Sequence, residues 1–62
     1  MTEERGWIIE TGEISTPEYA SVDMGLKMTD DPLKAIRFAR DTDATAFALV
    51  YMPGVETRIS EL

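Results

Sequence analysis

The chain has 62 residues, 44% of them hydrophobic, with twelve acidic against six basic side chains and a net charge of −6. A domain of this length buries only about 60% of the surface its unfolded chain exposes, so the core is thin, although the apolar fraction is too high for a disordered chain. With no cysteine and no histidine, disulfide staples, thiolate or imidazole metal sites, thiol nucleophiles and histidine-based acid–base chemistry are all excluded. In chain order, the first element is "GWIIETG", where Trp7, Ile8 and Ile9 between two glycines suit a pleated, half-buried strand. "EISTPEYASVDMG" places Pro17 in a turn context and then Tyr19 to Val22 in a second strand before Gly25. The two strands are expected to form a hairpin with a loose connection around residues 11–17, and "LKM" at 26–28 either extends the second strand or leads onward.

"DDPLKAIRFAR", residues 30–40, carries the signature of a helix start. Asp31 is a suitable N-cap, Pro32 fits the first helical position, and Asp30 adds negative charge at the positive end of the dipole. On a helix, Ala35, Ile36, Phe38 and Ala39 share one face while Lys34, Arg37 and Arg40 share the other. In "DTDATAFALVYM" periodicity does not separate helix from strand, because Phe47, Leu49 and Tyr51 also alternate. Alanines at 44, 46 and 48 favour a helix over 42–52, capped by Asp41 or Thr42 and stopped by Pro53 and Gly54. "VETRIS" has a β-branched bias and is expected to be the last strand.

The expected fold is therefore a single α+β domain over 1–62 in the order ββααβ, a three-stranded antiparallel sheet with two short helices on one face; the alternative order is ββαββ. The expected core is Trp7, Ile9, Ile36, Phe38, Phe47, Leu49 and Ile59.

The charge is unevenly placed. Residues 1–31 hold eight acidic and two basic side chains, whereas residues 32–62 hold four of each. A field of that sign repels phosphate backbones and steers basic partners toward the first half, so direct nucleic-acid binding is not expected. Glu10, Glu13, Glu18 and Asp23 are the candidate partner-binding residues, and a basic protein surface, of the kind that normally holds nucleic acid, is the candidate partner. The stripe Lys34, Arg37 and Arg40 is the alternative surface, set against its plain reading as a solvated helix face.

Carboxylates are what remains for catalysis, and nothing in the sequence marks Glu10 with Glu13 or Asp30 with Asp31 as an acid–base pair rather than solvated surface or helix cap. The calcium-loop pattern is missing, and glycines at 6, 12, 25 and 54 form neither a phosphate-binding nor a dinucleotide-binding loop. So small a domain is also expected to lack room for a ligand pocket of the usual ~300 Å³ or more. No enzyme activity, cofactor or metal is expected. No apolar run approaches the ~18 residues of a membrane span, and "MTEER" lacks the basic-then-apolar order of a signal peptide, so a cytoplasmic location is expected.

Trp7-Ile8-Ile9, the aspartate before a segment with Ala35 and Phe38, Asp43-Ala44, and Val55-Glu56 followed by Ile59 together resemble small acidic proteins encoded by bacteriophages and prophages. The resemblance spans nearly the whole chain and implies a binding role of the host-takeover or anti-defence type, anti-CRISPR proteins among them. The competing reading is a homo-oligomeric accessory protein, a homodimer in the simplest case, in which an apolar sheet face left open by the short chain closes on a second copy.

Overall fold

The computed structural model describes residues 6–22 and 24–61. Strands β1 (Trp7–Glu13), β2 (Thr16–Val22) and β3 (Leu26–Thr29) follow one another as a meander; helix α1 (Asp41–Tyr51) comes next, and strand β4 (Thr57–Glu61) closes the chain. All neighbours in the four-stranded sheet are antiparallel, in the order β3-β2-β1-β4. The α+β class is as expected. The three-stranded sheet with two helices is corrected to four strands and one α-helix among the described residues, and neither ββααβ nor ββαββ describes the order.

The β1–β2 connection is tighter than the sequence suggests. Glu13 pairs with Thr16, leaving only Ile14 and Ser15 between the strands. Gly12, at φ +83, makes this pairing possible: a Cβ there would take up a strained conformation 3.2 Å from the Thr16 carbonyl oxygen. Pro17 is accommodated because alternation turns its nitrogen toward β3, which pairs with β2 only from Tyr19 onward. "LKM" becomes a strand of its own, paired through Ala20↔Met28 and Val22↔Leu26.

The largest correction lies at 31–40. The cap forms as expected, with the Leu33 N–H donating to Asp31 Oδ1 at 3.0 Å, but it starts a single 3-10 turn over Pro32–Lys34. Ala35 is already extended, at φ −68 and ψ 145. Beyond it the backbone makes its bonds to the sheet: Ile36 N–H donates to the Ala20 carbonyl at 3.0 Å, and Phe38 exchanges both of its backbone hydrogen bonds with Trp7. The β1–β2 ladder extends only as far as Glu10↔Tyr19, and this segment fills the gap beyond it. Gly6 allows the close approach, since a Cβ there would sit 3.0 Å from Arg37 Cβ. A helix would have satisfied the same backbone groups internally but left the Ala20 and Trp7 groups facing the gap unpaired.

The core lies between the sheet and α1. Ile9 and Ala20 on the strands meet Ala44 and Ala48 on the helix and Met52 at its C-cap, with Trp7, Met28, Ile36, Phe38, Phe47 and Ile59 packed around them. Spacings of four residues put Ala44, Ala48 and Met52 on one stripe, and the small alanines let the helix sit close to β1 and β4. Phe47 stacks with Phe38 at 5.3 Å and with Tyr51 at 4.6 Å between ring centroids. The helix was expected over 42–52 and runs one residue earlier, with Arg40 rather than Asp41 or Thr42 in the cap position. Leu49, expected in the core, is 73% exposed because it points away from the Ala44–Met52 stripe. Ile8 is buried too; the pleat puts it on the other side of the sheet, beside Glu10.

Candidate functional site

The proposed acidic surface is divided by the pleat. Glu10 lies opposite Tyr19 on β2 and Arg58 on β4. Its carboxylate accepts from Arg58 Nη2 at 3.3 Å and from Ser60 Oγ at 3.2 Å, and only 18% of its side chain is exposed. Glu10 therefore ties β1 to β4. Glu18 neighbours Tyr19 along the strand and so projects from the opposite face. Glu13 and Glu18 are both exposed near the hairpin turn, with Ile14, 84% exposed, at its tip. Asp23 lies outside the described residues.

The basic stripe does not form as a stripe. Lys34 closes the 3-10 turn, Arg37 belongs to the extended segment, and Arg40 precedes α1, pairing there with Asp43 at 3.4 Å. Extended backbone replaces the helical spacing that would have put the three cations on one face. The fold instead brings Lys34 near Lys27, around an open groove of about 360 Å³ that also includes Ser21 and Thr29. Ser21 Oγ donates to the Lys34 carbonyl at 2.7 Å, fixing the turn against β2. The groove exceeds the ligand space expected of so small a domain, yet it is an open surface feature between two lysine side chains.

A second cleft, of about 220 Å³, lies between the C-terminal half of α1 and β4, bordered by Leu49, Met52, Pro53, Val55, Thr57 and Ile59. Around it the surface is apolar: Leu49, Val50, Tyr51 and Val55 are all exposed. Residues 44–55 contain no charged side chain. Of that run the expected core takes Phe47 and Leu49, and the structure leaves Leu49 on the surface.

Among the described residues no group of acidic side chains is arranged to hold a metal ion, and no buried side-chain polar atom lacks a hydrogen-bond partner. Among the same residues no helix is long and apolar enough to cross a membrane. Comparison of the chain with protein-family models, with curated proteins and with solved structures finds no match.

Proposed function

We propose that the chain is a non-enzymatic protein-binding module whose hairpin engages a basic surface on another protein. The observation that carries this reading is the concentration of the net −6 in residues 1–31, together with the exposure of Glu13 and Glu18 on either side of Ile14. Carboxylates around an apolar tip suit a pocket rimmed by lysine or arginine: the charges speed encounter and the apolar side chain is buried on contact. Glu10 takes no part, since its carboxylate is committed to Arg58 and Ser60. The resemblance to phage-encoded inhibitors is the ground for the narrower proposal that the partner is a host or defence protein, one whose basic surface normally holds nucleic acid.

Affinity capture from a bacterial lysate with the tagged chain identifies the partner, which should be basic. Its association rate should fall as the Debye length shrinks from ~10 Å at 0.1 M salt to ~3 Å at 1 M. Glu13→Gln, Glu18→Gln and Asp23→Asn together should slow association and flatten that salt dependence while leaving the fold intact. Lys34→Gln with Arg37→Gln is the opposite control. Binding lost in this control and kept in the amide variant would move the functional surface to the basic side.

A further inference from the structure

Among the described residues the outer edge of β4 is open. In the sheet order β3-β2-β1-β4 it has a neighbour on one side only, and the orientation of its backbone follows from β1. Trp7 exchanges both backbone hydrogen bonds with Phe38, on the side of β1 away from β4. Because antiparallel strands alternate, Trp7, Ile9 and Thr11 turn their N–H and C=O groups away from β4, while Ile8 and Glu10 turn theirs toward it. Their register partners are Ser60 and Arg58. The backbone groups of Thr57, Ile59 and Glu61 therefore point outward from the sheet.

We propose that this edge pairs with β4 of a second copy across a two-fold axis at Ile59. In that register Ile59 faces its own symmetry mate, Thr57 faces Glu61, and all three outward-pointing residues make reciprocal backbone hydrogen bonds. Charge selects the register: Arg58 falls opposite Ser60, and no like charges meet. Centring the axis on Arg58 would set two guanidinium groups face to face, and centring it on Ser60 would oppose Ile59 with Glu61. The strand is also unguarded, because its one cation is drawn inward to Glu10. At the other end of the sheet, β3 is four residues long and carries the exposed Lys27.

Three further features favour a second copy as the occupant. Ile9 is the one large side chain among the described residues that is wholly buried, and domains with so thin a core commonly gain stability by association. Thr57 and Ile59 turn their side chains into the cleft beside Leu49 and Val55, so pairing at the edge also covers the apolar rim of each copy. In a chain of net −6, the uncharged surface formed by residues 44–55 is where two copies approach with least repulsion. This surface is separate from the exposed carboxylates of the hairpin.

Sedimentation of the intact chain from about 10 μM to about 1 mM should show a monomer–dimer equilibrium. Thr57→Pro removes an outward N–H at the first residue of the strand, where proline is tolerated, and Leu49→Lys adds a charge at an exposed position beside the cleft. Each should weaken dimerisation by about tenfold or more, with the circular dichroism spectrum little changed and the rise of the thermal midpoint with concentration reduced. Amide exchange gives a residue-specific pattern: Ile59 should become protected as concentration rises, whereas Arg58 and Ser60 should be protected throughout. If Thr57→Pro fails to fold, Leu49→Lys and the exchange pattern still decide. A monomer at about 1 mM overturns the proposal and leaves the edge to a strand of a different chain. So does a dimer in which the Ile59 amide exchanges equally fast at every concentration, or one that Leu49→Lys does not weaken.

Discussion

Residues 31–40 and 41–51 are neighbours, each opening on an aspartate, yet they settle their backbone hydrogen bonds in opposite ways. The second stretch bonds to itself, as α1, and buries Ala44 and Ala48, with the capping Met52 beyond them, against β1 and β4. The first makes one 3-10 turn and then donates to Ala20 and exchanges bonds with Trp7, projecting Ile36 and Phe38 into the same core by alternation. A backbone donor needs a partner but not a particular one. Where two strands have parted, the nearest acceptors belong to the sheet, and a segment reaching them satisfies the strands and itself together. A capping residue fixes where a turn begins; it does not fix how far the helix continues.

The comparison can be broken most strongly in α1. Ala46 is exposed, so Ala46→Pro removes little packing, but it deletes an intrahelical hydrogen bond and its ring clashes with the preceding turn. The expected loss is ~3 kcal/mol or more in denaturant unfolding, with helical circular dichroism lost as well. Phe38→Ala tests the extended stretch through its side chain. It removes the ring stacked on Phe47 at 5.3 Å, and because Phe38 is only half-buried the expected cost is about 2 kcal/mol, below the range for fully buried phenylalanines. Smallest is Asp31→Ala, which strips the cap from Leu33 N–H and should cost ~1 kcal/mol. It should leave helical circular dichroism nearly unchanged, because only one turn depends on it. A large loss of helical signal in Asp31→Ala would show that 31–40 is helical in solution, and the distinction between the two stretches would collapse.

The two regions also differ in how they could be read. "IRF" alternates apolar, basic and apolar residues from Ile36 to Phe38, the period of a strand, before Ala39 breaks the pattern, yet Asp31-Pro32 ahead of it is a strong helix-start pattern. Both signals were real: the cap governs Pro32–Lys34 and the alternation governs Ile36–Phe38. Because that segment is extended rather than helical, Lys34, Arg37 and Arg40 do not share one face. The acidic side fared differently. Its charge excess is a property of the sequence, whereas the division between Glu10, held by Arg58 and Ser60, and the exposed Glu13 and Glu18 depends on the strand pairing. Leu49 shows the same limit in α1, where an apolar residue one position from a buried alanine is turned out by the helical period.

By itself the sequence determined the α+β class, strand β1, the last strand and the acidic bias of the first half, and its alanines favoured a helix near 41–51 stopped by Pro53-Gly54 over the strand alternative. Each of these rests on local propensity, on turn chemistry or on a count of charges, none of which needs a partner distant in the chain. Tertiary structure alone decided the fourth strand, the gap between β1 and β2 and the segment that fills it, the pairing of Glu10 with Arg58 across 48 positions, and the open edge of β4. Those features depend on which backbone groups the sheet leaves without a partner, and that is known only once the strands have found their register.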